Sequence, residues 1–324
     1  MMRRRTLLAA PLAFPAPAVA QPAYPEPGRR IELIVPYPPG GGNDTGARAL
    51  APLLERELGV PFVALNRPGA ASQIGMTQLA RARPDGYTIG YGLWPQTTTL
   101  YLEPARQAQF TRDSFATLAL HATDPGVIVV RAESPLRSLA DLVAASRARP
   151  DDFRMSDNGQ LGHEHLASLR LQSLAGLRFN QVHFQGAGPA IAALLGNQTE
   201  AAIFAVGTSS GQIRQGGMRA LAVLAREESP YLPGVRTALA QGYDVVFGSI
   251  RAFVAPAGLP PAVQARLAEA LRRAIAAPEH IEKMRDLAIA ITYQGPEEFS
   301  RTWAAEEAAL RPVIAALSAA VRAN

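Results

Sequence analysis

The residues best suited to chemistry lie in glycine-bearing loops that open helices and in a few groupings of acid, serine and histidine. The first loop is Val35-Pro-Tyr-Pro-Pro-Gly-Gly-Gly-Asn-Asp44. Its glycines, Gly40, Gly41 and Gly42, carry no Cβ to keep a ligand off the main chain. Asn43-Asp44-Thr45 then reads as a helix start. The first N–H groups of a helix lack internal partners and sit at the positive end of its dipole, so loop and helix start together form an anion site. A nucleotide phosphate fits poorly: no lysine follows the glycines, the GxGxxG spacing is absent, and Asp44 would repel a polyphosphate. A singly charged carboxylate fits better. The plainer alternative is a strand-to-helix turn whose glycines serve only the bend.

Other groupings are weaker. Gly207-Thr-Ser-Ser-Gly211 matches G-x-S-x-G, with Asp244 and His280 following Ser209 in hydrolase order. The pattern is short and built from common loop residues, and His280 sits in Pro278-Glu-His-Ile281, which reads as a helix first turn. No enzyme is expected, a serine hydrolase being the alternative. His163-Glu164-His165 has an i, i+2 spacing that sends the imidazoles to different faces of a helix, whereas zinc helices use i, i+4. The chain has no cysteine, so neither a metal nor another cofactor is expected. Asp44, at a helix start, is expected to accept backbone N–H groups and shape its loop or hold a bridging water.

These residues need elements to position them. Ile31–Val35 has strand character, and Ala49, Leu50, Leu53, Leu54 and Leu58, closed by Gly59, mark a helix over residues 44–59. A second strand over 61–66 leads through a glycine-bearing loop to a helix over 73–83, with Ser72 at its N-cap. A third strand over 87–91 ends at Gly92-Leu-Trp-Pro95. Strands alternating with helices predict a parallel sheet, whose ligands lie at the C-terminal strand edge. The loops at 38–45, 69–74 and 92–96 would share that edge, and Trp94 would line the pocket or else serve as a core aromatic. The pattern breaks at His121–Gly126 and resumes with a strand over 127–131. Two more glycine loops follow: Ser156–Gly162, opening a helix that carries His163 and His165, and Phe184–Pro189. Strands are expected over 201–206, 220–225 and 252–255, and helices starting at Pro260-Pro261, Pro278 and Pro296. Two runs of such units make two lobes, with chain crossings near 122–126 and 240–248.

At 324 residues the chain can support two cores, and 48% hydrophobic against 18% charged content excludes a disordered polymer. The net charge of +5 falls to +2 without Arg3, Arg4 and Arg5, and no basic run follows, so nucleic acid is not an expected partner. Those arginines, an apolar stretch to Val19 and Ala18-Val-Ala20 before Gln21 make residues 1–20 a secretory signal of Sec or twin-arginine type, cleaved near Ala20. No later run is long enough to span a membrane. A periplasmic location is expected.

Val35–Asp44, Asn66-Arg-Pro-Gly-Ala-Ala-Ser-Gln-Ile-Gly75, Pro84-Asp-Gly-Tyr-Thr88, Gly186-Ala-Gly-Pro-Ala190, Ala193–Gln198 and Arg219–Val223 closely resemble the Bug (TctC) family. These are the periplasmic substrate-binding proteins of tripartite tricarboxylate transporters. The resemblance implies an α/β, two-lobed type II periplasmic-binding-protein fold, a Venus flytrap with the ligand between lobes. One lobe would comprise 24–122 and 245–324, the other 123–244. The protein would be a monomer that delivers a small organic acid to the transporter's membrane components, or else a sensor presenting its ligand to a membrane histidine kinase. On matching positions, Pro39, Gly41, Gly42, Asn43, Asp44 and Thr45, with Ala71, Ser72 and Gln73, would hold one carboxylate, partly through water. The second lobe would add Asn158, Gly159, Gln160, His165, Gln185, Gly186, Gly188, Ala205 and Val206. Two positions depart from the family. Phe204-Ala205 stands where an Asp-Asn pair is common, which argues against an amino-acid ligand. Ile250-Arg251-Ala252 stands where Trp-Phe-Gly is common. Arg251 would meet either a second ligand carboxylate or an exposed acid of the protein, and the latter is the plainer reading.

Overall fold

The computed structural model describes residues 24–40, 42–184 and 186–323; the leader 1–20, Gly41 and Gln185 lie outside the described residues. The first lobe opens with β1 (Ile31–Val35), α1 (Gly42–Leu58), β2 (Phe62–Asn66), α2 (Gln73–Ala80), β3 (Thr88–Trp94) and α3 (Gln96–Leu102). A long strand, β4 (Phe115–Arg131), leads to α4 (Leu139–Ala148), β5 (Arg154–Asp157), α5 (His163–Ala175), β6 (Asn180–His183), α6 (Ala187–Leu195), β7 (Ala201–Ala205), α7 (Val206–Arg214) and β8 (Met218–Leu224). The chain returns through β9 (Gly248–Pro256), α8 (Pro261–Ile275), α9 (Pro278–Asp286), β10 (Ala290–Gln294) and α10 (Pro296–Ala323).

The expected parallel pairing is present where strands alternate with helices: β1 pairs in parallel with β2 and β3, and β5 with β6 and β7. The return strand β9 inserts antiparallel between β3 and β4, and β10 lies antiparallel on β4. β4 joins the two sheets. Residues 115–125 pair with β9, and residues from Gly126 on pair with β7 and β8. The sequence suggested a break at His121–Gly126 because polar residues and a Pro-Gly pair interrupt the apolar pattern. The strand runs through because His121 and Asp124 are buried with partners inside the protein, and Pro125, with no N–H to give, sits where the strand changes neighbours. Gly126 then resumes the ladder by donating to Phe247 O at 2.8 Å. Gly248 makes the second crossing possible: a Cβ there would stand 2.7 Å from Asp124 O and 2.7 Å from Pro125 Cα.

Each sheet carries helices on both faces. In the first lobe α1 and α8 bury Leu50, Leu54, Leu267 and Leu271 against Leu33, Ile89 and Phe253, while α2, α3 and α10 cover the other face around Met76, Trp94 and Trp303. In the second, Phe153, Met155, Leu171 and Ile203 fill one side and Val127, Val129, Leu194 and Phe204 the other. The far half of α10 spans the lobes, packing Leu310 and Ile314 on Leu161 and Leu166. No helix among the described residues is long and apolar enough to cross a membrane.

Helices begin at Pro261, Pro278 and Pro296 as the sequence indicates. Two local expectations change. α2 ends at Ala80, not Arg83, and Ser72 makes no side-chain cap bond because the chain approaches it in left-handed conformation, with φ of 47°, 55° and 79° at Ala70, Ala71 and Ser72. Gly75 draws this turn against the first loop: a Cβ would lie 2.6 Å from Pro36 Cβ and 2.7 Å from Arg67 O. In an unconstrained helix Gly→Ala gains about 1 kcal/mol. Here Gly75→Ala should instead destabilise by about 1–3 kcal/mol, the usual cost of overpacking, read as a lower urea midpoint at unchanged slope.

Candidate functional site at the lobe crossing

The two glycine loops of the first lobe are held in place by one acid. Asp44, 4% exposed, accepts from Gly40 N at 2.9 Å, Arg48 Nε at 2.9 Å and Asn66 Nδ2 at 2.8 Å. Asn66 also donates to Tyr37 O, so the Asn-Arg-Pro-Gly segment is tied to the Pro-Gly-Gly-Gly segment. Burial alone would raise the Asp44 carboxyl, but the bonds from Arg48, Gly40 and Asn66 outweigh it and hold it below the usual range. Asp44 is thus the loop's anchor, and its lone pairs serve the protein rather than a base function. Gly42 is the first residue of α1, with Asn43 and Thr45 half-buried beside it and Pro39 exposed on the loop.

Around this helix start the side chains converge from distant parts of the sequence. Asn43 Oδ1 accepts from Arg251 Nε at 3.1 Å, and Arg251 Nη2 donates to Asp124 Oδ2 at 3.2 Å. Arg251 is 6% exposed and Asp124 1%. Arg251 Nη1 is buried and has no partner. The acid that Arg251 meets is therefore buried Asp124, not the exposed one expected, and one of its amino groups is left over. Tyr37 accepts from Leu93 N at 3.2 Å and lies close to the Ser72 hydroxyl. The Arg251 charge favours the ionised phenols of Tyr37 and Tyr91 and the neutral imidazoles of His121 and His163.

The second lobe faces this cluster through its own loop and helix start. Asp124 caps α7, accepting from Gly207 N at 3.0 Å. Burial raises its carboxyl, offset in part by the Arg251 charge and the Gly207 and Val206 N–H groups. Gly207 has no room for a side chain: a Cβ would lie 2.8 Å from Asp124 Oδ2 and 3.1 Å from Leu287 O. The loop ahead of α5 reaches α3, where Thr99 Oγ1 donates to Leu161 O at 3.3 Å. Asp157, fully buried, accepts from Gly159 N and Gln181 Nε2 and lies 2.9 Å from His183 Nδ1. Asn158 gives its amide to Glu164 Oε1 at 2.7 Å and keeps a buried, unpartnered Oδ1. His165 Nδ1 accepts from Leu161 N, its ring set edge-on against His183.

The structure assigns several sequence-chosen residues to other work. Trp94 does not line the cleft: it is 1% exposed and packed edge-on against Phe299 and Trp303, because α10 returns over that face of β3. The N–H groups of Val206 and Gly207 are taken by Asp124, and Ala205 and Val206 are buried in the lobe core. Gln73 spends its amide on Arg106 O. Gln160 and Gly188 are exposed, Gly159 and Gly186 half-buried on their loops, and Ala71 exposed in its left-handed turn. Gly41 and Gln185 lie outside the described residues. The G-x-S-x-G stretch is helix, not a strand–helix elbow: Ser209 is buried and donates to Ala205 O, while His280 is bonded to His121 Nε2 at 2.7 Å. Among the described residues no His, Cys, Asp and Glu group could hold a metal.

Residues 47–318 match the family described as the tripartite tricarboxylate transporter family receptor, TctC. The chain belongs to this family. It is 34% identical to Protein BugT of Bordetella pertussis over 240 residues, covering 73% of each chain. It is 32% identical over 300 residues to a protein of Pseudomonas sp. encoded in the tcbD-tcbE intergenic region, covering 91% of this chain and 88% of the other. A TctC solute-binding protein from Polaromonas superposes with a TM-score of 0.77 at 27% identity, covering 90% of this chain and 99% of that one. A TctC receptor is a periplasmic solute-binding protein with a small-molecule ligand and a membrane transporter as its partner. In this receptor the Asn43–Arg251–Asp124 chain joins a family site position to a family departure, and what the sequence did not show is that buried Asp124 completes it.

Buried titratable groups give this receptor a marked pH dependence. Burial, with the Arg251 charge adding to it, pushes His163 down to about 3; burial takes His165 and His280 to about 4 and His121 well below its usual value. Burial pushes the Glu164 and Glu306 carboxyls the other way, up to about 8. In acid the unfolded chain binds protons the folded histidines refuse, so stability falls from about pH 6.5 toward 4. The two glutamates hold protons the unfolded chain has released; their contribution is full below about pH 4.5 and lost as pH rises through about 8. Stability should peak near about pH 6.5, with urea midpoints at about pH 5 and about pH 9 both lower. A flat profile would contradict these burials.

Proposed function

We propose that this receptor captures a small organic acid in the cleft between its lobes, with one carboxylate lying between the start of α1 and Arg251 Nη1. The observation that carries this reading is a buried guanidinium with an unspent donor, fixed by Asn43 and Asp124 at the place where the chain passes between lobes. Main-chain N–H groups at the start of α1 and the Ser72 hydroxyl, buried beside Tyr37, supply further donors. Asn158 Oδ1 and His163 Nε2, both unpartnered, meet the rest of the ligand from the second lobe. We take residues 24–122 with 245–324 as one lobe and 123–244 as the other, turning on β4 and the Phe247–Gly248 crossing. The protein acts without catalysis, and its closed form is what the membrane components of the transporter read. The sensing alternative rests on no feature of the structure.

The magnitudes agree. Charge-assisted hydrogen bonds contribute about 1.5–3 kcal/mol each, so three or four give roughly 5–12 kcal/mol. Micromolar affinity needs about 8 kcal/mol, and association costs several. The first lobe alone is marginal, and closure of the second supplies the difference. Capture and closure are therefore coupled.

Native mass spectrometry of freshly purified protein, followed by a thermal-shift screen of organic acids, should identify the ligand. In calorimetry the primary-amide analogue of that acid should bind about 100-fold more weakly, the loss of one or two charge-assisted bonds. Arg251→Lys should weaken the acid at least about tenfold, because an ammonium cannot serve Asn43, Asp124 and the ligand from one planar fork. Equal affinity for acid and amide would rule out carboxylate recognition.

A further inference from the structure

Four of the carboxyl groups described above are buried, and one of them differs from the rest. Asp44 is matched by Arg48 and two further donors, Asp124 by Arg251 and the Gly207 N–H, and Asp157 by the Gly159 N–H, Gln181 and His183. Glu164 is 3% exposed, and among the described residues the Asn158 amide is the one side chain that donates to it, beside its own backbone N–H. His163 Nε2 stands 3.1 Å from Glu164 Oε1 yet makes no hydrogen bond, and among the described residues no arginine or lysine forms an ion pair with Glu164. A buried carboxylate needs several donors or a cation to stay ionised.

The surroundings sharpen the contrast. On its own helix Glu164 has His163 and His165, both neutral at ordinary pH. β5 presents Asp157 and β4 presents Asp124, both of like sign to an ionised glutamate. β6 presents His183, engaged with Asp157, and β9 presents Arg251, engaged with Asp124. An acid that enters against Arg251 Nη1 thus brings a second negative charge to a guanidinium already paired with one carboxylate. Two buried anions on one cation leave a net charge in a dry site, which is costly unless a proton accompanies the second anion.

We propose that this receptor binds its acid with the Glu164 carboxyl protonated, so that in alkaline solution, where the free carboxyl has ionised, capture takes up a proton that release gives back. The proposal rests on the carboxylate reading above. The exchange is acid–base only: an O–H bond forms on a Glu164 oxygen as the proton leaves hydronium or the buffer acid, whose conjugate base stays in solution, and the ligand acid enters as its anion. In the free protein burial already lifts this carboxyl to about 8, with the Asp157 and Asp124 charges helping. A bound anion lifts it further. Affinity is then nearly constant below about pH 7 and falls above about pH 8, approaching tenfold per unit.

The test labels glutamate with carbon-13 at the carboxyl and follows the Glu164 resonance, assigned by its absence from Glu164→Gln, from about pH 6 to about 10. The probe is a mixture of sodium succinate, citrate and benzoate, with sodium chloride at matched ionic strength as control. The expected result is a free midpoint near 8 that rises by about one unit or more with the acids. A free midpoint in the ordinary glutamate range overturns the proposal. So does a midpoint that stays fixed while the acids shift other resonances, and in that case carboxylate binding stands. Acids that shift no resonance overturn the carboxylate reading and the proposal together. Calorimetry of the wild-type protein with the same acids, in phosphate and in Tris, counts the proton without any variant. About half a proton should be taken up per acid bound at about pH 8, and equal heats in the two buffers would refute the uptake.

Discussion

The ion pair between Arg251 and Asp124 sits where the polypeptide passes from one lobe to the other, and the site is organised around it. Asp124 lies on the strand that belongs to both sheets, and Arg251 on the strand that brings the chain back. Burying such a pair costs desolvation of both charges, which mutual attraction repays only with good geometry and further hydrogen bonds. Both partners have them. Asp124 accepts the first N–H groups of α7, and Arg251 reaches Asn43 at the start of α1. One pair therefore links two helix N-termini, one in each lobe, and leaves a guanidinium donor unspent between them.

That arrangement explains why the glycines are where they are. A Cβ at Gly207 would press on Asp124 Oδ2 at 2.8 Å, and Gly248 lets the return strand cross against the backbone of Asp124 and Pro125. Both bring main chain close enough for the crossing to form. The first loop follows the same logic. Asp44 gathers Gly40, Arg48 and Asn66 to itself, so the loop is held in shape by the protein rather than by whatever it binds.

The motif that most resembles an enzyme dissolves under the same packing. Gly207-Thr-Ser-Ser-Gly211 lies inside a helix that begins at Val206, with Ser209 bonded to the carbonyl four residues back. His280 pairs with His121, and His121 in turn with Tyr91, forming a buried polar string along the first lobe. Such back-bonding by serine in a helix is a local habit of its hydroxyl. Residue order along the chain had suggested a triad; residue order in space assigns each member a different partner.

What the sequence determined by itself was local or patterned. Alternating apolar runs, helix-start residues and glycine loops fix strands, helices and their junctions within about ten residues, and they placed β1 to β3, the proline-led helices and the family with little error. Asp44 as loop anchor was legible for the same reason, since Gly40 and Arg48 are its near neighbours in the chain. The tertiary structure alone decided what distant segments do to one another. Arg251 and Asp124 are 127 residues apart, and Arg251 and Asn43 208. Trp94 is claimed by aromatics from α10, and Glu164 on α5 is left 3% exposed. Burial and charge pairing are set by which surfaces meet, and no run of neighbouring residues encodes that.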